Sequence, residues 1–134
     1  MNKLPSGFQL YGHASPLTDP WEPIYCKTTD AGLYLGIWAD TPHTNARGFI
    51  HGGLVAALAD KCMGHSCHHL HDTATSMVTV TLSVDYLGIA RKGSWIEFKP
   101  TVTKNGKTLC FAECLITADQ KPTSRATATF MVVG

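Results

Sequence analysis

The chain has 134 residues, of which 44% are apolar and 16% charged, and its formal net charge is +1. This length and composition are typical of one globular domain, 1–134, that buries roughly two thirds of its unfolded surface. The nearly balanced charge disfavours nucleic acid as a partner, and no apolar run approaches the ~20 residues that span a bilayer. We therefore expect a cytoplasmic protein that binds neither nucleic acid nor membranes.

The cysteines and histidines bear on redox state and metal binding. Five cysteines are an odd number that cannot pair completely within one chain, which favours free thiols. Four of the seven histidines lie in the segment HSCHHLH, where His65 and His69 fall on one helical face. That spacing can bind a metal ion, but no third ligand lies at an obvious offset. We expect no metal and no other cofactor, and we interpret this segment as the partly exposed end of a helix.

The first half of the chain predicts an irregular segment, a hairpin and a long helix. Residues 1–24 are rich in Pro and Gly, so extended or irregular structure with short helical pieces is expected there. The segments 24–29 and 33–40, separated by a short Gly-containing turn, indicate a β-hairpin. A polar loop follows over 41–50. The pattern from Gly52 to Leu70 then predicts a helix ~28 Å long.

Two neighbouring stripes run along this predicted helix. The first stripe has small residues and one carboxylate, which indicates a closely packed partner. Its members are Gly53, Ala56, Ala57, Asp60 and Gly64. The second stripe is apolar and suits a sheet, and its members are Val55, Leu58, Ala59 and Cys62. Because the helix is apolar around much of its girth, we expect most of it to be buried.

Alternation of period two predicts an antiparallel meander after the helix. Its first strand places Val78, Val80, Leu82, Val84 and Tyr86 on one face and Thr79, Thr81, Ser83 and Asp85 on the other. Pro100 cannot donate a ladder hydrogen bond, so a bulge or an edge is expected at that position. Asn105 and Gly106 form the pair preferred by a tight type I′ turn, and two further strands follow over 109–118 and 122–133. A hairpin, one buried helix and a meander together indicate an α+β fold.

The densest group of candidate functional residues surrounds the start of the helix. There His51, Gly52 and Gly53 expose unpaired backbone N–H groups and the positive end of the helix dipole, which can stabilise an oxyanion. Glycine also lets a ligand carbonyl approach the backbone. The alternative is that these glycines only cap or pack the helix and that Asn45 is only a turn residue. Asp60, about two turns further along the small-residue stripe, is costly to bury without a function unless it is a solvated helix position.

The spacing of these residues resembles the motif of a known family. The pattern N-x-x-G-x-x-H-G-G-x-x-x-x-x-x-D is formed here by Asn45, Gly48, His51, Gly52, Gly53 and Asp60. It resembles hotdog-fold acyl-CoA thioesterases of the phenylacetate-pathway (PaaI-type) branch of the 4-hydroxybenzoyl-CoA thioesterase superfamily. The segments TVTLSVDYLGIARKG and NGKTLCFAECLIT also agree, so the resemblance extends from about Leu33 to the C-terminus. It implies a central helix wrapped by a curved antiparallel sheet, and a homo-oligomer: a dimer or a dimer of dimers, the homotetramer.

The resemblance also implies roles in catalysis. The N–H of Gly52 would polarise the thioester carbonyl, and Asn45 would hold that carbonyl or the attacking water. Asp60, supplied by the other subunit, would act as general base or as nucleophile, and Thr79 would orient the water. Acyl transfer needs such oxyanion donors together with a positioned base.

Four more residues are expected to bind the acyl-CoA substrate. His51 and Gly53 shape the helix entrance, and His51 is expected to bond backbone there and not to act as the catalytic base. Arg91 and Lys92 lie on a turn, from which their cations can reach the phosphates of coenzyme A. The alternative for both cations is that they only keep the surface soluble.

Three functions are compatible with this pattern. The leading interpretation is an acyl-CoA thioesterase for a small or aromatic acyl group, without metal or organic cofactor. A hotdog hydratase or dehydratase would share proton transfer between a His and a carboxylate, but the HGG motif followed by Asp60 matches the hydrolase pattern better. A non-catalytic acyl-CoA sensor would keep the pocket and would not need Asp60.

Overall fold

The computed structural model describes residues 3–13, 15–71 and 76–133, and these residues form one sheet and one long helix. The strands are β1 (Gln9–Leu10), β2 (Tyr25–Thr29), β3 (Gly32–Trp38), β4 (Ser76–Tyr86), β5 (Trp95–Asn105), β6 (Leu109–Ala118) and β7 (Lys121–Val133). The helix α1 (Gly52–Leu70) lies between β3 and β4, and short 3-10 helices span Asp19–Trp21 and Thr41–His43. The predicted α+β fold is confirmed, and α1 has the predicted limits.

The sheet is antiparallel throughout and has the order β1-β2-β3-β5-β6-β7-β4. The hairpin of β2 and β3 is therefore joined to the meander through β5, and β4 returns to pair with β7. One long strand, β4, lies at an edge of the sheet, while the opposite edge is the two-residue strand β1. The helix packs against β3, β4, β5, β6 and β7.

The core lies between one face of α1 and the sheet. The helix residues that are buried against the sheet are Leu54, Val55, Leu58, Ala59, Cys62, Met63, Ser66 and Cys67. The stripe of small residues is only half-buried at Ala56, Ala57, Asp60 and Gly64. Our expectation that most of the helix is buried is therefore wrong for this stripe within one chain. All five cysteines are buried free thiols, as predicted.

The turns of the meander differ in part from the sequence prediction. A type I′ turn needs two successive residues with positive φ. In this chain such a pair, Asp119 (φ 47°) and Gln120 (φ 69°), lies between β6 and β7 and not at Asn105. Gly106 has no positive φ, and β6 begins only at Leu109. The hairpin at Asn105 is confirmed, but its type I′ geometry is wrong. The Asn105 side chain instead binds the end of the helix, donating to the carbonyl of Cys67 at 3.3 Å.

A bulge in β4 corrects the predicted pattern of its faces. Thr79 pairs with Phe130 and Thr81 pairs with Thr129, so Val80 is the extra residue of a bulge. One extra residue shifts the phase of alternation. As a result Thr79 lies on the helix side of the sheet together with Tyr86, as their hydrogen bonds to α1 show. The prediction that these two residues lie on opposite faces is wrong.

The N-terminal segment contains more structure than its composition predicts. Strand β1 pairs with β2, and a 3-10 helix at Asp19–Trp21 is one of the short helical pieces that were allowed. Residues 1, 2 and 14 of this predicted irregular region lie outside the described residues. Pro100 pairs with Cys114 of β6, whereas the pairing of β5 with β3 ends at Phe98, so the proline lies at a local edge as expected. In the described part of the chain, no helix has the length and apolar character needed to cross a membrane.

Candidate active site

The entrance of α1 is capped by its own histidine. His51 has extended backbone (φ −68°, ψ 131°), and its Nδ1 accepts a hydrogen bond from the N–H of Gly53 at 2.8 Å. The N–H of His51 is in turn bound by the carbonyl of His43 at 2.9 Å. A Cβ on Gly53 would lie 2.9 Å from the imidazole ring, so a larger residue here would force the capping ring to shift. His51 thus has the structural role that was predicted for it.

Asn45 organises the loop before the helix. Its Oδ1 accepts from the N–H groups of Arg47 (2.9 Å) and Phe49 (3.2 Å), and its own N–H donates to the carbonyl of Phe49. The structural alternative, that Asn45 is a turn residue, is therefore correct for its oxygen atom. Its Nδ2 group has no acceptor in the described ranges, so it is available as a donor beside the helix start.

Gly52 is the first residue of α1, and its backbone is approached by Tyr86 of β4. The Tyr86 hydroxyl donates to the carbonyl of Gly52. A Cβ at Gly52 would lie 3.2 Å from the phenol ring, closer than an ordinary contact. The N–H of Gly52 has no acceptor among the described residues and belongs to the first turn, where helix N–H groups lack intrahelical partners. This group is therefore free to donate to a ligand oxygen.

Asp60 lies about two turns further along the helix, where β4 crosses it. Its Oδ1 accepts a hydrogen bond of 2.8 Å from the Thr79 hydroxyl, which the bulge at Val80 directs towards the helix. The residue is half-buried and lines an open cleft of about 440 Å³. A solvent-accessible carboxylate with a fixed hydroxyl partner can activate water or attack a carbonyl carbon.

The cleft at Asp60 is lined by groups from three parts of the chain. The residues from α1 are Asp60, Lys61, Gly64, His65 and His68, those from the strands are Ser76, Met77, Thr79 and Phe130, and those from the N-terminal segment are Tyr11 and His13. A second cleft, of about 420 Å³, lies beside the helix entrance and includes His51, Gly53 and Leu54. The two clefts share no lining residue.

The predicted catalytic residues therefore form two groups within one chain. Asn45 and Gly52 lie at the entrance of α1, whereas Asp60 and Thr79 lie together in the other group. Eight residues separate Gly52 from Asp60, which is ~12 Å along a helix axis. A single carbonyl cannot contact both groups in one subunit.

Arg91 and Lys92 lie next to the helix entrance. Arg91 forms a β-bridge with Phe49, and its guanidinium group lies 5.2 Å from the centre of the Phe49 ring. The Lys92 ammonium is 3.7 Å from a carboxylate oxygen of Asp40, and both side chains are exposed. Arg91 is thus the cation that is free to meet a phosphate here, while Lys92 has an acidic neighbour.

Sequence reasoning missed two features of the site. Tyr86 was assigned only to one face of a strand, yet its hydroxyl binds the backbone of Gly52. Tyr11 was assigned only to an irregular segment, yet its hydroxyl binds Nδ1 of His65 at 2.7 Å. Neither contact has a local sequence signal, because Tyr86 is 34 positions from Gly52 and Tyr11 is 54 positions from His65.

Known proteins resemble this chain over most of its length. The family model described as the thioesterase superfamily matches residues 47–124. A Pseudomonas aeruginosa protein described as a candidate esterase is 33% identical over 131 residues, which cover 97% of this chain and 98% of that protein. Human acyl-coenzyme A thioesterase 13 is 36% identical over 77 residues, 56% of this chain and 53% of that protein.

Solved structures show the same fold. A Streptococcus pneumoniae thioesterase protein, crystallised with coenzyme A, superposes with a TM-score of 0.77 at 24% identity, covering 85% of this chain and 91% of that chain. A mutant of the phenylacetic acid degradation protein PaaI from Thermus thermophilus has a TM-score of 0.78 at 15% identity, covering 89% and 100%. The hotdog fold predicted from the resemblance is confirmed. The match of the family model to residues 47–124, together with the full-length relative, shows that the chain belongs to the thioesterase superfamily.

Proposed function

We propose that this protein hydrolyses acyl-CoA thioesters at a site shared by two subunits. The observation that carries the proposal is the pairing of Asp60 with Thr79 in an open cleft, ~12 Å from an unused N–H at the start of the same helix. Acyl transfer needs a base or nucleophile on one side of the carbonyl and an oxyanion donor on the other. A second copy of the chain brings its helix entrance to the Asp60 of the first.

In this mechanism the N–H of Gly52 donates to the thioester oxygen and stabilises the negative charge that develops there. The partial positive charge at the N-terminus of α1 strengthens that donor. Asp60 either removes a proton from water, whose oxygen then attacks the carbonyl carbon, or attacks that carbon itself to form an anhydride that water later hydrolyses. The Thr79 hydroxyl holds the carboxylate in place in both cases. The thiolate of coenzyme A is the leaving group.

The edge strand β4 supports pairing with a second copy of the chain. Its apolar side chains Val78, Val80 and Leu82 are 45%, 52% and 38% exposed. A long exposed edge with apolar side chains is a surface that stable proteins cover. Pairing there covers the edge, and it brings the half-buried stripe of α1 near its counterpart. The tetramer and the cytoplasmic location stay predictions.

The coenzyme A part of the substrate is supported by two relatives. The Streptococcus pneumoniae structure contains coenzyme A, and the human relative is named an acyl-coenzyme A thioesterase. Two further structures of the Streptococcus protein carry alanine in place of an aspartate or a threonine, the residue types that are paired here as Asp60 and Thr79. In this chain, Arg91 beside the helix entrance is the cation we assign to the coenzyme A phosphates.

The experiment is turnover of acyl-CoA by purified protein, with Asp60→Asn as the matched control. Asparagine keeps the shape of the side chain but supplies neither base nor nucleophile. We expect turnover to fall by at least ~100-fold, the lower range for a positioned acid–base group, with unchanged oligomeric state and melting temperature. Wild-type turnover by Asp60→Asn would remove this residue from the mechanism. Binding without turnover by the wild type would favour the sensor instead.

A further inference from the structure

The cleft at Asp60 is lined by several titratable side chains. Apart from Asp60 itself, the titratable residues that line the cleft are phenolic or basic, namely Tyr11, His13, Lys61, His65 and His68. The rest of the lining is small or apolar at Gly64, Met77 and Phe130 and has hydroxyl groups at Ser76 and Thr79. A ligand in this cleft can therefore contact apolar side chains, hydrogen-bond donors and a cation.

The Tyr11–His65 pair has a defined protonation state. The Tyr11 hydroxyl lies 2.7 Å from Nδ1 of His65. Burial raises the pKa of Tyr11, so its phenol stays protonated. Burial, with the nearby histidines and Lys61, lowers the pKa of His65 to about 4, so its ring is neutral at pH 7. Because a phenol is a stronger acid than the N–H of a neutral imidazole, we assign the Tyr11 hydroxyl as donor and Nδ1 as acceptor, which places the ring proton of His65 on Nε2.

This arrangement leaves His65 with a donor to offer. Within the described ranges, Nε2 of His65 has no acceptor. An unused donor in a half-buried ring, whose orientation is fixed by a second side chain, is the form in which binding sites present specificity groups. His65 is five residues beyond Asp60, which is ~7.5 Å along the helix.

Lys61 adds a positive charge at the same place. Its ammonium lies 3.5 Å from the hydroxyl of Ser15 and 5.5 Å from the centre of the Tyr11 ring. The side chain therefore extends towards the Tyr11–His65 pair. A cation and a neutral N–H donor that line one cleft together with apolar side chains match a carboxylate at the end of a short apolar chain.

Building on the proposed thioesterase function, we propose that the acyl group of the substrate ends in a carboxylate, which Lys61 and Nε2 of His65 bind. The preferred substrate class is then short dicarboxylic acyl-CoA. Tyr11 acts as a positioning residue, because it sets the tautomer of His65 and does not itself touch the ligand.

The test compares two thioesters with acyl chains of equal carbon number, glutaryl-CoA and pentanoyl-CoA, on the wild type and on His65→Phe and Lys61→Met. We expect the wild type to have a kcat/KM for glutaryl-CoA at least ~10-fold above that for pentanoyl-CoA. Each substitution should lower that ratio by about 10-fold, the loss expected for one hydrogen bond to a charged group. The control His69→Phe changes a neighbouring histidine outside the Asp60 cleft and should leave the ratio unchanged. Melting temperatures show that each variant is folded.

Binding separates the failure of this inference from the failure of the proposed function. Calorimetry with Asp60→Asn protein should show tighter binding of glutaryl-CoA than of pentanoyl-CoA, whether or not the wild type is a hydrolase. Equal binding of the two ligands, or a ratio that neither His65→Phe nor Lys61→Met changes, would overturn the carboxylate assignment. Rapid, Asp60-dependent hydrolysis of pentanoyl-CoA in that case would leave the thioesterase function intact.

Discussion

The entrance of α1 and the cleft at Asp60 differ in how much of their polar chemistry the chain itself uses. At the entrance, the imidazole of His51 and the amide oxygen of Asn45 are both bound by backbone N–H groups. In the cleft, Asp60 has one side-chain partner and an open face. The entrance is therefore a finished scaffold that presents one free backbone donor, whereas the cleft presents reactive side chains. Loss of the His51 cap should therefore act mainly on stability, whereas loss of a group that contacts the substrate, in the cleft or among the free donors of the entrance, should act mainly on turnover.

After Asp60 itself, the largest effect on turnover is expected at Thr79. In Thr79→Val the hydroxyl that binds Asp60 is replaced by a methyl group of similar shape, so the carboxylate loses its only side-chain partner in the described part of the chain. Turnover should fall by about 10-fold, the cost of one hydrogen bond to a charged group. Thr79→Ser should retain most of the turnover. Steady-state kinetics of the two variants measure the difference, and equal rates for Val and Ser would mean that the hydroxyl does not position Asp60.

His51 should affect stability more than chemistry. In His51→Ala the N–H of Gly53 loses its cap, and the free energy of unfolding should fall by about 1 kcal/mol, as for other N-caps. His51→Asn restores an acceptor at the cap and should recover most of that loss. Urea unfolding monitored by circular dichroism checks both variants. Turnover of the folded His51→Asn protein as low as that of Asp60→Asn would show instead that His51 has a catalytic role.

The smallest effect is expected at the cations beside the entrance. Replacing Arg91 and Lys92 with Ala should raise the KM for acyl-CoA a few-fold and leave kcat nearly unchanged, because exposed phosphate contacts stabilise ground and transition states alike. Most of the rise should come from Arg91, since Lys92 already lies near Asp40. The effect should shrink at high salt.

A matched control is the pair Lys104 and Lys107, which are also exposed but lie near the hairpin at the other end of α1. Their replacement with Ala should not change the KM. An equal loss of activity in the Arg91 and Lys92 variant on a short thioester without a nucleotide would show that these residues do not bind the coenzyme.

The parts of the fold that are encoded locally could be predicted from the sequence. The helix limits follow from the HGG start and an unbroken run of helix-forming residues, and the limits of β6 follow from its alternation. The faces of β4 could not be predicted, because Val80 fits the alternation and no local residue marks it as a bulge. The position of the type I′ turn was also missed, because Asp119 and Gln120 lack the glycine by which such turns are recognised.

In the candidate site, too, local features could be predicted from the sequence and long-range contacts could not. The spacing from Asn45 to Asp60 and the family resemblance at Thr79 predict the members of both groups, and the structure adds the contacts that these residues make. The contact of Tyr11 with His65 depends on the path of the N-terminal segment over the helix, which no local pattern encodes. This part of the Asp60 cleft could therefore not be predicted from the sequence.

The most direct test of the central claim is to combine two inactive subunits. Asn45→Ala removes the side-chain amide that we assign to the thioester carbonyl or the attacking water, and Asp60→Ala removes the carboxylate, so the two variants carry damage in different halves of a shared site. When they are co-expressed in equal amounts, half of the dimers are hybrids and each hybrid has one intact site, so about a quarter of the sites should be complete. We predict turnover near a quarter of the wild-type value, far above either parent. A mixture no more active than its parents, or a fully active monomer by light scattering, would contradict the shared site.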